Sequence, residues 1–201
     1  MGMGRLRNPI RLKNLSARYL PLYLVGLWIL IFHPINLRHL FWALPTVGLG
    51  LAIRSWAAGH LVKSDALTRT GPYAHLRHPL YAGTLLIATG FALLLGGALM
   101  WVVLLLAWSW FAFVYFPRKE RVEAGRLQSF HGARYLRYRD GVPALWPRRT
   151  AWTDVLVEAD ESARSEGWSL DRYSDNNELG TLLAVLGGLA LFGLRSLSGA
   201  S

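Results

Sequence analysis

Two polar segments of this chain carry side chains able to do chemistry. The first reads Thr70-Gly71-Pro72-Tyr73-Ala74-His75-Leu76-Arg77-His78-Pro79-Leu80-Tyr81-Ala82-Gly83. Gly71-Pro72 marks a turn. His78 precedes a proline and is biased towards extended backbone. Pro79 suits the first turn of a helix, where a missing N–H costs nothing. A helix start leaves free N–H groups and a positive dipole end, which suit a carboxylate or another anion. Arg77 and His78 add charge and hydrogen-bond donors, and Tyr73 and Tyr81 offer rings that stack on or cover a planar ligand. The same residues also suit an aromatic and Arg belt at a membrane interface. On the residues alone, ligand loop and interfacial belt both stand.

The second segment begins Arg118-Lys119-Glu120-Arg121-Val122-Glu123 and continues through Leu127, Gly132, Tyr135, Tyr138, Val142-Pro143 and Pro147. Lys119 and Glu123 are four apart and share a helix face. For an isolated pair, a solvated, salt-bridged helix is the commoner meaning. Tyr135 and Tyr138, three apart, form one aromatic face lying on lipid or on protein. His75 and His78 are also three apart, but no further acid or thiolate completes a metal site, so no metal is expected. His60 and Asp65 receive no role.

The elements that must position these residues are membrane helices. The chain has 201 residues, of which 53% are hydrophobic and 17% charged, against about 25% charged in ordinary soluble domains. Mean hydropathy is +0.27. There is no cysteine, which excludes disulfides, thiolate metal sites and a Cys nucleophile. Asp and Glu are absent from residues 1–64, 66–119 and 179–201, and apolar runs fill most of those gaps. Leu80–Phe116 holds no charge over 37 residues and has Gly96-Gly97 near its middle. A bilayer crossing needs about 20 apolar residues, so this run is two crossings joined by a tight turn. Five transmembrane helices are predicted, near 17–33, 39–58, 80–96, 98–117 and 179–196, and the fold class is an all-α polytopic membrane protein. The first is read as an uncleaved helix rather than a signal peptide, since His33-Pro34 follows it instead of small residues.

Five crossings put residues 1–18, 59–79 and 118–178 on one side, with five, three and eleven basic residues. The other side holds only Arg38 and Arg195. By the positive-inside rule the first side is cytoplasmic, with the N-terminus and both polar segments. The net charge of +10 then belongs to membrane flanks facing anionic lipid, not to nucleic-acid binding. Arg148–Gly167 is the nearest thing to a linker, expected on the membrane surface, with Thr153-Asp154 and Ser162 as helix-cap candidates.

Gly71-Pro72-Tyr73 followed by Arg77-His78-Pro79-x-Tyr81-x-Gly83 resembles the signature of the isoprenylcysteine carboxyl methyltransferase family, integral-membrane enzymes related to the phospholipid N-methyltransferases. The second half of that signature is matched by Glu123, Leu127, Gly132, Tyr135, Tyr138, Val142-Pro143 and Pro147. The likeness covers about residues 50–147. It departs at Ala124, where the family carries a second acid, and at His131, where it carries Phe. The tail beyond Trp168, with its fifth helix, resembles short bacterial members. The resemblance implies one membrane methyltransferase domain over 1–201: helices in 1–58, a cofactor-binding core in 59–147, and a surface segment with the C-terminal helix in 148–201. It implies S-adenosyl-L-methionine as cofactor, a lipophilic or lipidated acceptor, membrane lipids as surroundings, and a bacterial inner membrane as location.

The resemblance further implies that Thr70, Gly71, Pro72 and Tyr73 line the cofactor pocket, partly through backbone groups. His78, Pro79 and Tyr81 would wrap the methionine part and the adenosine. Arg77 would pair with the cofactor carboxylate or fix the loop, Glu123 would accept from ribose or ammonium, and Lys119 would attract an anionic acceptor. The catalytic set is then Arg77, His78, Lys119 and Glu123. Trp101, Trp108 and Trp110 are read as interfacial or packing residues before any lipid route. Two rivals remain: a sterol-reductase-like membrane enzyme using NADPH, and a scaffold that keeps the fold without activity, which Ala124 favours.

Overall fold

The computed structural model describes residues 32, 37–62, 67–153 and 167–198. Apart from Phe32, the expected first helix 17–33 lies outside the described residues, as do the cap candidates Asp154 and Ser162. Every regular element among the described residues is helical. The helices are α1 (Leu40–His60), α2 (Pro79–Leu95), α3 (Gly97–Trp110), α4 (Phe116–His131), α5 (Ala133–Gly141), α6 (Leu170–Asp175) and α7 (Glu178–Ser198). Leu40–His60, Gly97–His131 and Glu178–Ser196 are long and apolar enough to cross a membrane, and Pro79–Leu95 is a shorter apolar helix. The chain is an all-α polytopic membrane protein.

α1 and α2 pack antiparallel through small residues. A Cβ on Gly50 would sit 2.7 Å from the Gly83 carbonyl, and a Cβ on Gly90 would meet Val47 and the Ala43 carbonyl. Lipid offers no hydrophobic drive between helices, so close backbone approach and dispersion hold such a pair. α7 completes a three-helix bundle: Val185 packs with Val47 and Ile87, and Phe192 meets Phe91 at 5.8 Å. Gly96 and Gly97 turn the chain with φ of +65° and +55°. A Cβ on Gly96 would fall 2.6 Å from the His39 ring.

The expected crossing 98–117 does not stop at 117. The helix runs on to His131 as one 35-residue rod. Pro117 would ordinarily kink it, because its ring clashes with the carbonyl four residues back and it lacks an N–H. Here the preceding turn, Phe111–Tyr115, is a π-helix, whose wider i→i+5 turn accommodates the proline. The apolar half of the rod is largely uncovered, with Leu105 69% and Phe113 81% exposed, as suits a lipid-facing helix.

The end of α1 is closed by the C-terminal segment rather than by its own sequence. The Gly59 carbonyl accepts from Ser169 N at 2.9 Å and from Arg172 Nε at 2.8 Å. Asn176 Nδ2 donates to the carbonyls of Ala58 (2.8 Å) and Leu61 (3.0 Å). These bonds satisfy the carbonyls that a helix end leaves open. Trp168 lies on Gly59 and donates Nε1–H to the Ser55 carbonyl at 3.0 Å.

Candidate active site

The first polar segment forms a short 3-10 turn, Gly71–Ala74, entered by Gly71 at φ +57°. A Cβ at Gly71 would strike the His60 ring at 2.6 Å. This seats the turn on the buried end of α1. His78 is the residue before α2, and Pro79 begins the helix, as the Pro-at-first-turn rule predicts.

The two polar segments are sewn together by backbone. Arg77 N donates to the Pro143 carbonyl (2.9 Å), His78 N to that of Ala144 (3.1 Å), Arg148 N to that of His75 (3.0 Å), and Trp152 N to that of Ala74 (2.8 Å). Tyr138 donates its hydroxyl to the Tyr73 carbonyl at 2.8 Å. Tyr135 and Tyr138 are each 3% exposed and pack with Val142, so their shared face lies on protein. The His75 ring is used locally, with Nδ1 3.0 Å from the Arg148 carbonyl.

Side-chain charges then converge between the α2 start and α4. Arg77 Nη1 donates to Glu120 Oε1 at 2.7 Å. His78 Nε2 bonds the other oxygen of Glu120, and its Nδ1 lies 3.5 Å from Glu123 Oε2. The Tyr81 hydroxyl donates to Glu123 Oε1. The His78 and Tyr81 rings stack at 5.3 Å. Burial disfavours a charge on His78, but its hydrogen bonds to the Glu120 and Glu123 carboxylates outweigh it and its pKa is raised. α4 continues well past the apolar part of the rod, and there burial raises the Glu120 carboxyl less than His78 and Arg77 lower it. Burial above all holds the Tyr73 and Tyr138 hydroxyls well above the ordinary tyrosine range. These groups therefore place the His78 ring between two carboxylates, with tyrosines around it.

A cavity of about 340 Å³ opens beside this cluster, within the range of small-molecule sites. Tyr73, Arg77, His78, Pro79, Tyr81 and Glu123 line it. Leu61, Val62, Leu67 and Leu127 supply apolar wall, and Arg126, Tyr135 and Tyr138 complete the polar side. Thr70, Gly71 and Pro72 do not line it; they build the turn that presents Tyr73. Lys119 also stands outside, its ammonium 5.9 Å from the Tyr115 ring.

A family model described as phospholipid methyltransferase matches residues 22–129, which span α1 through most of α4. The chain belongs to the phospholipid methyltransferase family. It is a membrane methyltransferase, as the likeness over residues 50–147 implied. No curated protein and no solved structure matches it. The family match carries Arg77, His78, Tyr81 and Glu123, and it ends before α5.

One central acid is not in the expected set. Glu120 binds both Arg77 and His78, yet it sits in a run of alternating charge whose default meaning is a solvated face. The available signal was its three-residue spacing from Glu123, which puts the two carboxylates on one helix face. Arg126, one turn beyond Glu123, was missed for the same reason.

Proposed function

We propose that this methyltransferase uses S-adenosyl-L-methionine and methylates a lipid-like acceptor, through a carboxylate or an amine, at the cytoplasmic surface of a bacterial inner membrane. The observation carrying this reading is the cavity in which Tyr73, His78 and Tyr81 from one polar segment meet Glu123 from the other. Its lining fits the cofactor. Glu123 offers carboxylate oxygens to an ammonium or to ribose hydroxyls. Arg77 offers a guanidinium to a carboxylate, and its Nε is buried without a hydrogen-bond partner among the described residues. Tyr73, Tyr81, Tyr135 and Tyr138 line the space open to the adenosine part.

When bound, the cofactor supplies an electrophilic methyl group on a sulfonium. The chain's contribution is positional. Glu120 fixes Arg77 and His78, so the α2 start keeps one orientation. His78 holds a proton between Glu120 and Glu123. The tyrosines and the apolar wall exclude water, which favours attack by an anion or a neutral amine on a cation. Holding donor and acceptor at about 3–3.5 Å supplies most of the rate gain in such a displacement. Leu61, Val62 and Leu127 suit an acyl or prenyl chain arriving from lipid. Lys119, outside the cavity, suits an anionic headgroup on its approach.

The test is calorimetric titration of the detergent-purified protein with S-adenosyl-L-methionine and, separately, with NADPH. Saturable binding of the first alone is expected. Glu123→Gln and His78→Ala are each expected to weaken it about tenfold or more, the scale of one lost charged hydrogen bond, with the protein still folded in detergent. Wild-type affinity in both variants would remove these residues from the site. A response to NADPH instead would replace the reaction.

A further inference from the structure

Arg54 lies two turns from the end of a membrane helix, and Glu178 begins another. A charged side chain within a span is expensive and is kept where it has a partner and a use. These two are bidentate: Arg54 Nε meets Glu178 Oε1 at 2.6 Å, and Nη2 meets Oε2 at 2.8 Å. Glu178 is only 2% exposed. The remaining nitrogen of Arg54, Nη1, donates to the Leu80 carbonyl at 3.2 Å and also bonds Thr84 Oγ1. Thr84 in turn donates to the same carbonyl at 2.8 Å. One guanidinium thus joins α1, the first turn of α2 and the first residue of α7. Gly83 makes the reach possible, since a Cβ there would meet Arg54 Cγ at 2.5 Å.

The turn that Arg54 grips is Pro79-Leu80-Tyr81, and all three residues line the cavity. Glu178 lies outside the stretch shared with the family, residues 22–129. We infer that Arg54 and Glu178 are positioning residues of the methyltransferase site, and that the C-terminal helix, beyond the family match, sets the aim of His78 and Tyr81. They touch neither the cavity nor its contents; they act through the Leu80 carbonyl. Without Glu178 the guanidinium loses two of its bonds, and the α2 start is free to turn relative to Glu123. The inference rests on the reading that this cavity holds the cofactor.

The experiment compares Glu178→Gln with Val185→Ala, which loosens the packing of α7 on Val47 and Ile87 without touching the lock. Both are purified in detergent and measured for S-adenosyl-L-methionine affinity, unfolding temperature and amide exchange across residues 81–84. Glu178→Gln is expected to lose about tenfold in affinity, the scale of coupling through one packed element, and to speed exchange at 81–84. Val185→Ala is expected to lower the unfolding temperature at least as far, with affinity within twofold and exchange at 81–84 unchanged. Arg54→Lys, which keeps the charge but not the fork, should retain only part of the parent's affinity. Equal losses of affinity in both variants, or wild-type affinity and exchange in Glu178→Gln, would overturn the inference. If the parent binds no cofactor, the functional reading fails, and the lock is decided by exchange at 81–84 alone.

Discussion

Both ring nitrogens of His78 face carboxylates, Nε2 that of Glu120 and Nδ1 that of Glu123. Only the protonated ring can donate to both at once, which is why its pKa is raised although burial opposes it. The sign of the pH dependence follows. The stability gained from charged His78 is complete below its ordinary value of 6.5 and is lost as pH rises through the raised value. The stability gained from ionised Glu120 is complete above its ordinary 4.5 and is lost as pH falls through the lowered value. The cluster is therefore tightest between the two ordinary values, 4.5 and 6.5, and loosens on either side. Glu120→Gln is expected to cost about 2 kcal/mol, the worth of hydrogen bonds to charged groups, and to shift the alkaline limb of the unfolding-temperature profile to lower pH. Thermal unfolding followed across pH checks both. An unmoved limb would mean that Glu120 does not hold the proton on His78. Glu120 was hard to read from sequence because its partners Arg77 and His78 lie more than 40 residues away. Tyr81 and Glu123 were legible because each stands at a fixed offset within a signature half.

At the scale of elements, the α1–α2 contact is the one with least room. Gly50→Ala puts a methyl 2.7 Å from the Gly83 carbonyl and 2.8 Å from Ile87 Cγ1, whereas a methyl at Gly48 meets nothing within 4 Å. Backbone cannot yield as a flexible side chain can, so Gly50→Ala is expected to cost about 1–3 kcal/mol. Gly48→Ala should be neutral or stabilising by up to about 1 kcal/mol, through helix propensity alone. Unfolding temperatures of the two variants in the same detergent make the comparison; equal values would mean that the helices are not in backbone contact. The small residues Ala43, Gly50, Gly83 and Gly90 are visible in the sequence, but their meaning appears only once the register pairs Gly50 with Gly83. The closure of α1 by Ser169, Arg172 and Asn176 was not legible at all. Its partners lie more than 100 residues apart, and no local pattern announces a cap supplied from so far along the chain.

For the whole molecule, hydropathy and charge placement carried the architecture. The α1 and C-terminal crossings, the shorter apolar helix α2 and the Gly96-Gly97 turn were each readable, because an apolar run, a charge gap or a glycine pair has one dominant physical meaning in a membrane. The continuation through Pro117 was not, since a proline ordinarily marks an end and the π turn that absorbs it leaves no clear trace in composition. That continuation has a mechanical consequence. A 35-residue helix is roughly 50 Å long at about 1.5 Å per residue, well beyond the roughly 30 Å hydrocarbon layer. Its lower part is gripped by lipid, and its upper part carries Glu120 and Glu123. The height of the two carboxylates above the hydrocarbon boundary is therefore set by how the rod's apolar length matches the layer around it. A layer that is too thick or too thin is met by tilt, at fractions of a kcal/mol per Å, and tilt swings the carboxylates sideways against His78 and Tyr81. Reconstituted into phosphatidylcholines of graded acyl length, the protein should transfer methyl groups fastest at one chain length and fall away on both sides. A flat profile would mean that α2 and the rod move together. A peaked profile would make bilayer thickness a setting of the distance between the α4 carboxylates and His78.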